Sequence, residues 1–274
     1  MNNGTLYLVA TPIGNLSEIS SRALDTLNNV DIIACEDTRN SRKLLSHFDI
    51  HQKLVAYHKY NENSESTNLI NELKEGKNIA IISDAGYPLI SDPGYVIVQK
   101  AIEEDINVVT ISGPNAGLNA LVTSGLDNTH YLFYGFLNSK QSSAKKELEE
   151  LKNLPYTLIF YEAPHRINET LKICLEVLGD RKAVVARELT KIHETFYRDK
   201  LSNLVNLGDL KGEIVLLIEG KDTSIKEEVD INVVRNELKE LVNSGLKLKK
   251  ACEIIGEKYN LSKSNLYNDF IKNK

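Results

Sequence analysis

Residues 78–94 read Asn78-Ile79-Ala80-Ile81-Ile82-Ser83-Asp84-Ala85-Gly86-Tyr87-Pro88-Leu89-Ile90-Ser91-Asp92-Pro93-Gly94. The opening apolar run is short, and turn residues follow it, so it reads as a buried strand. The next twelve residues hold two Gly, two Pro and two Asp. A plain strand-to-helix connection needs only about 2–6 residues. Long loops of this composition sit at the carboxyl ends of parallel strands, where α/β sheets bind their ligands. Gly lets the backbone approach a ligand closely. Pro sets the loop shape in advance. The two Asp supply acceptors without bulk.

The flanking sequence repeats the strand–loop–helix rhythm. Strands are predicted at Thr5–Ala10, Asp31–Cys35, Lys53–Tyr57, Asn78–Ile82 and Asn107–Ile111. Helical patterns lie between them at Ser21–Asn29, Arg39–Phe48, Glu65–Glu75 and Tyr95–Glu104, and Gly76 closes the third. Five short apolar runs separated by helices predict a parallel sheet covered on both faces, an N-terminal α/β domain over 1–118. The pattern then changes. Tyr131–Phe136, Thr157–Tyr161, Lys182–Arg187, His193–Arg198 and Glu213–Glu219 read as strands, with helices at Gln141–Asn153 and His165–Leu178. Two closely spaced strands over 182–198 predict antiparallel pairing and a second, mixed-sheet domain over 119–220. Gly220–Asp230 is polar and reads as a linker. Three helices follow at Val233–Asn243, Leu248–Tyr259 and Lys263–Lys272, a small helical appendage over 231–274. Its stretch 249–267 is either a helix-turn-helix, with Ser262 capping the last helix, or a plain helical hairpin.

The 274 residues, 42 % hydrophobic, suffice for two compact domains and an appendage. No apolar run approaches the ~18 residues of a membrane span. The start, Met1-Asn2-Asn3-Gly4, leads straight into a strand with no room for a signal peptide. Cys35, Cys174 and Cys252 are scattered and odd in number, which fits a reduced cytoplasm and neither a disulfide framework nor a zinc site. His47 and His51 stand four apart, but no Glu follows His47, so no metal site is expected. The net charge of −5 is unfavourable for a nucleic-acid binder. It is unevenly spread, however: residues 247–274 hold seven Lys against three acidic residues, or +4. Affinity for phosphate must come from local patches.

Two common nucleotide signatures are missing. Gly113-Pro114-Asn115-Ala116-Gly117 lacks the Lys-Ser/Thr ending of a phosphate loop, and no G-x-G-x-x-G follows the first strand. In that place stands Ala10-Thr11-Pro12-Ile13-Gly14-Asn15-Leu16. Further along come Glu36-Asp37-Thr38-Arg39, Ser112-Gly113-Pro114-Asn115-Ala116, Tyr161-Glu162-Ala163-Pro164-His165-Arg166 and Arg187-Glu188-Leu189-Thr190-Lys191. Together with the 83–94 loop, this ordered set resembles the tetrapyrrole methylase superfamily. The Pro-Ile-Gly form of the first loop is similar to its RNA-modifying branch, the small-subunit ribosomal RNA ribose methyltransferases.

That resemblance implies S-adenosyl-L-methionine bound between two α/β domains. It implies methyl transfer to the ribose 2'-hydroxyl of a cytidine in 16S ribosomal RNA, in the small ribosomal subunit, by a cytoplasmic homodimer. It places Pro12, Asp84, Ala85, Gly86, Ser91, Gly113, Asn115, Ala116, Tyr161, Ala163 and Glu213 around the donor. The small residues among them would admit ligand against backbone. The family usually shows Thr where this chain has Tyr87, so the ring either reshapes the loop or lies outside the pocket.

A neutral ribose hydroxyl is a poor nucleophile, so a base and a cation are wanted beside it. Asp37 is a candidate base and Arg39 a candidate phosphate ligand. The alternative is an N-cap carboxylate with a solvated Arg. Lys191 is a second candidate base if burial lowers its pKa; the alternative is a surface ion-pair cluster. Arg166 suits phosphate contact. His58-Lys59-Tyr60-Asn61 is either a base-stacking loop or an ordinary exposed one. Two other readings stay open: a methylase of a corrin or porphyrin precursor, and a non-enzymatic nucleic-acid binder built on the C-terminal helices.

Overall fold

The computed structural model describes residues 3–223, 231–259 and 261–272. Met1 and Asn2, most of the expected linker (224–230) and Asn260 lie outside the described residues. The chain divides into two compact units, one ending at Lys221 and one beginning at Asp222.

The first unit opens with β1 (Thr5–Val9), α1 (Ser21–Asn29), β2 (Ile32–Cys35), α2 (Thr38–His47), β3 (Lys53–Ala56), α3 (Glu62–Lys74), β4 (Ile79–Ile82), α4 (Tyr95–Glu103) and β5 (Asn107–Ile111). The five strands form one parallel sheet in the order β3-β2-β4-β1-β5. All four residues of β2 and all four of β4 are buried. Their pleat divides these continuous apolar runs between two cores. Ile32, Ala34, Ile79 and Ile81 face Leu69, Leu73 and Ile97 of α3 and α4. Ile33, Cys35, Ala80 and Ile82 face Leu27 and Leu45 of α1 and α2. Two apolar faces explain why these runs show no polar alternation.

Next come α5 (Ala116–Ser124), β6 (Tyr131–Phe136), α6 (Gln141–Leu151), β7 (Thr157–Glu162), α7 (Ile167–Leu178), β8 (Lys182–Arg187), β9 (Thr195–Lys200), α8 (Leu201–Leu204) and β10 (Ile214–Ile218). The second sheet runs β6-β7-β10-β8-β9. Only β6 and β7 pair in parallel; β8 and β9 pair antiparallel from Lys182↔Lys200 to Arg187↔Thr195, as the close spacing predicted. One face packs under α6 and α7, through Leu148, Phe160, Leu171 and Cys174. The other face carries Ile159, Val184 and Val215, and packs with Ala120 and Leu121 of α5 and with Ile13 from the loop after β1. The sequence boundary at 118/119 therefore falls inside α5, a helix the sequence reading did not assign.

The second unit holds α9 (Ile231–Asn243), α10 (Leu248–Tyr259) and α11 (Lys263–Lys272). Val234, Leu238, Ala251, Cys252, Ile255 and Leu266 give it a core of its own. The α10–α11 corner is tight: a Cβ on Gly256 would stand 2.9 Å from the Leu261 carbonyl oxygen. No helix among the described residues is long and apolar enough to cross a membrane.

Candidate functional site

Parallel pairing brings the loops after β1, β2, β3, β4 and β5 to one edge of the first sheet. The 83–94 loop is fixed there from several sides. Thr11 and Gly86 exchange backbone hydrogen bonds, Thr11 N–H to Gly86 O at 2.9 Å and Gly86 N–H to Thr11 O at 3.1 Å. The Thr11 hydroxyl donates to Ser83 O, and the Ser83 hydroxyl donates to Gly86 O. At the far end, Glu62 Oε1 accepts from Gly94 N–H at 2.8 Å, and the buried Tyr57 hydroxyl donates to the same carboxylate. Asn40 Nδ2 of α2 donates to Asp84 Oδ2 at 3.0 Å. Leu89 and Ser91 hold positive φ, 72° and 69°. Such backbone persists only where surrounding contacts over-determine it.

The loop walls a cavity of about 400 Å³, within the usual range for small-molecule sites, roughly 300–1,000 Å³. Of the expected donor residues, Asp84, Ala85, Gly86, Ser91, Asn115, Ala116, Tyr161, Ala163 and Glu213 line it. Pro12 and Gly113 do not, and Ile13 forms the wall beside Pro12. Gly113 instead meets the residue that follows β1: a Cβ there would lie 2.9 Å from the Ala10 Cβ. Tyr87 lines the cavity, and its hydroxyl accepts from Gly113 N–H at 3.3 Å. The ring thus ties the 83–94 loop to the 112–116 turn. Asn115 caps α5, its side chain accepting from Leu118 N–H.

Sequence reasoning left out Ile13, Phe136, Leu189 and Val215 of the lining, apolar residues that carry no chemical signature. It also left out Asp92, which stands in the 83–94 loop. Asp92 is half-buried, and its carboxyl is pushed up to about 6 by burial and then by the nearby Glu36 and Asp84 charges. Glu162 is buried and satisfied by the Thr170 hydroxyl at 2.5 Å and the Ala163 N–H at 2.7 Å. Arg166, 3.5 Å from that carboxylate, also donates to Leu137 O and Asn138 O, so it pins the loop after β6.

The expected acceptor residues stand in two places. Asp37 caps α2, accepting from Arg39 N–H at 2.8 Å and from the Arg39 guanidinium at 3.0 and 3.2 Å. These bonds hold its carboxyl down at about 2. The Arg39 side chain is 86 % exposed, so the pair sits at the surface with its cation outward. Lys191 Nζ donates to Glu188 Oε1 and Glu213 Oε2, both at 2.9 Å. Burial pulls its pKa down, but the two carboxylates outweigh it and the net shift is upward. The lowered pKa that a basic Lys191 would need is therefore not met; the group is an ammonium. Its stem lies across Gly14, where a Cβ would stand 2.6 Å from Lys191 Cγ. The first loop motif and the Arg187–Lys191 motif, far apart in sequence, meet there. Glu188 and Thr190 hold positive φ, 53° and 66°.

The tetrapyrrole (corrin/porphyrin) methylase family model matches residues 5–205. The chain is similar to proteins named ribosomal RNA small subunit methyltransferase I. The Bacillus subtilis protein is 49 % identical, over 83 % of this chain and 78 % of its own length. The Halalkalibacterium halodurans protein is 43 % identical over 97 % and 94 %, and the Haemophilus influenzae protein 45 % identical over 96 % and 95 %. Among solved structures, diphthine synthase superposes with a TM-score of 0.62 at 15 % identity, covering 79 % of this chain and 90 % of that one. Uroporphyrin-III-C-methyltransferase from Thermus thermophilus gives 0.54 at 16 %, covering 78 % and 94 %. At such identities the structural likeness speaks for the fold, whereas the family model and the relatives speak for descent: the chain belongs to the tetrapyrrole (corrin/porphyrin) methylase family.

Proposed function

We propose that this chain transfers a methyl group from S-adenosyl-L-methionine to the ribose 2'-hydroxyl of a cytidine in 16S ribosomal RNA. The observation that carries the reading is the cavity: apolar walls, small residues at 85, 86 and 116, and the carboxylates of Asp84, Asp92 and Glu213 around one space. That set suits a cationic donor with an adenine ring. When bound, the donor supplies a sulfonium-activated methyl that needs neither metal nor covalent enzyme intermediate. The chain supplies position and field. Asp84, Asp92 and Glu213 favour the positive ligand. Ser91, Asn115 and Tyr161 orient it.

The acceptor side rests on Asp37, Arg39 and Lys191. The Lys191 ammonium is held by two carboxylates and steadies a developing alkoxide. Arg39 turns from Asp37 to an RNA phosphate. That removes the guanidinium bonds, the largest of the causes holding the Asp37 carboxyl at about 2, while the cap bond from Arg39 N–H keeps the carboxylate in place. Asp37, now more basic, accepts the ribose proton. The names of the relatives support a small-subunit RNA substrate. The reading extends to a cytoplasmic homodimer and to three parts: 1–118, 119–220 and a C-terminal helical segment, 231–274, that aids RNA binding.

Labelled donor incubated with small ribosomal subunits, or with a tetrapyrrole precursor, tests the reading. Label is expected in 16S RNA, at one linkage made resistant to alkaline cleavage, since a 2'-O-methyl removes the internal nucleophile. Label on a base, or only on the precursor, overturns it.

A further inference from the structure

The loop between β3 and α3 presents an aromatic ring with no structural use. Tyr60 is 96 % exposed; only Ile192, beside Lys191, is a more exposed large apolar residue among those described. Tyr57, three residues earlier, is fully buried with its hydroxyl bonded to Ser66 and Glu62. The loop carrying Tyr60 is rigid. His58 N–H donates to Asn61 Oδ1, Asn61 Nδ2 donates to Ala56 O, both at 2.8 Å, and Asn61 N–H donates to His58 O at 3.0 Å. The His58 ring stands edge-on to Tyr60, with centroids 6.1 Å apart. A ring held out in water by a stiff loop loses little freedom on binding.

The neighbouring element is basic. Helix α2 carries Arg39, Arg42 and Lys43 and no carboxylate. All three are exposed, as is Lys59. Asp37 answers Arg39, while Arg42, Lys43 and Lys59 have no ion-pair partner among the described residues. Strands β2 and β3 are adjacent and parallel, so the start of α2 and the 57–61 loop emerge side by side. Both are bonded to the cavity loop: Asn40 to Asp84, and Glu62, two residues after Tyr60, to Gly94.

We infer that this sheet edge is a track for single-stranded RNA flanking the acceptor nucleotide, with a base stacked on Tyr60 and phosphates on Arg42, Lys43 and Lys59. A stacking ring on one loop and free cations on that loop and the neighbouring helix are the chemistry of single-strand binding. A duplex cannot use it, because its bases are already stacked. A protein partner would use the ring but leaves the three free cations unexplained. The inference rests on the proposed RNA methylation, and its test is read separately from it.

The test measures binding of the full-length protein to fluorescent single-stranded and duplex RNA across a salt series, and transfer to small ribosomal subunits. Tyr60→Ala is expected to weaken single-strand binding roughly ten- to hundred-fold and to raise the KM for subunits. Tyr60→Phe keeps the ring and is expected to retain binding. Arg42→Gln and Lys43→Gln should each flatten the salt slope by about one unit. Donor affinity and melting temperature should stay at parent values in all four variants. Equal loss in Phe and Ala, tighter binding to duplex, or unchanged RNA affinity in Tyr60→Ala each overturns the track. So does a raised KM for subunits without weaker RNA binding, which would assign the ring to a ribosomal protein. Absence of transfer by the parent would defeat the proposed function while leaving the RNA-binding measurement to decide the track.

Discussion

Gly86 is where the cavity can be probed most sharply, because backbone strain and ligand contact separate there. Its φ is +76°, and a Cβ would stand 3.3 Å from Ile13 Cγ2 and 3.7 Å from Pro114 O. The first contact is tight by a few tenths of an ångström and the second is ordinary. Conformation therefore outweighs collision in the folded protein. A left-handed non-glycine residue costs about 1–2 kcal/mol. For a compact unit of this size that lowers the melting temperature by roughly 2–8 °C. Asn adopts this region more readily than Ala, so Gly86→Asn should melt above Gly86→Ala. In donor affinity the order should reverse, because Asn places more atoms in the cavity. Gly86→Val, branched at Cβ, should be worst in both. Circular dichroism melting and calorimetric titration with S-adenosyl-L-methionine read the two effects. Parent-like donor affinity in Gly86→Val would show that the donor lies elsewhere. Equal melting of all three variants and the parent would refute the strain argument.

Lys191→Met and Arg39→Ala should cut methyl transfer at least ten-fold and leave donor affinity within a few-fold; lost donor binding in a folded variant would undo that division of labour. Asp92 is neutral below pH of about 6 and charged above it. Affinity for the cationic donor should therefore rise through that pH, and Asp92→Asn should flatten the profile. Stability should move oppositely. The folded pKa lies above the ordinary carboxyl value, so this group's contribution falls as pH rises from about 4 to about 6 and is level beyond; a melting temperature whose pH dependence is identical in Asp92→Asn would contradict this. In the C-terminal unit Lys250 and Lys263 share Glu253, while Lys247 and Lys249 have no ion-pair partner among the described residues. Lys247→Gln with Lys249→Gln should flatten the salt dependence of RNA binding more than the other two; an equal effect would place the contact elsewhere on the unit.

The first sheet was legible because its central strands are buried on both faces and read as continuous apolar runs. The expected Asn107–Ile111, Ser21–Asn29 and Lys182–Arg187 coincide with β5, α1 and β8. Helix α5 was missed because Ala116-Gly117-Leu118-Asn119-Ala120-Leu121 has a weak polar face and a Gly in its first turn. Strand β9 begins at Thr195 rather than His193, since residues 188–194 form a turn with two positive-φ positions that no residue type announces. Asp37 and Arg39 pair within one turn, so the N-cap alternative was visible from their spacing. The state of Lys191 was not. It depends on Glu213, twenty-two residues later, which only the β8–β10 pairing brings alongside.

The strand order of the first sheet bears on how the chain is made. Strand β1 lies between β4 and β5, so it has no sheet partner until residues 79–82 and 107–111 have been synthesised. At bacterial and eukaryotic elongation speeds of about 5–20 residues per second, roughly 5–20 s separate its emergence from closure of the sheet. For that interval Leu6 and Val9, both fully buried in the finished protein, stay in water or in the ribosomal tunnel. Pairing over such a sequence distance is also intrinsically slow. The nascent β1 segment is thus where a chaperone holding extended apolar chain would act, and where slower translation would lengthen the exposure most.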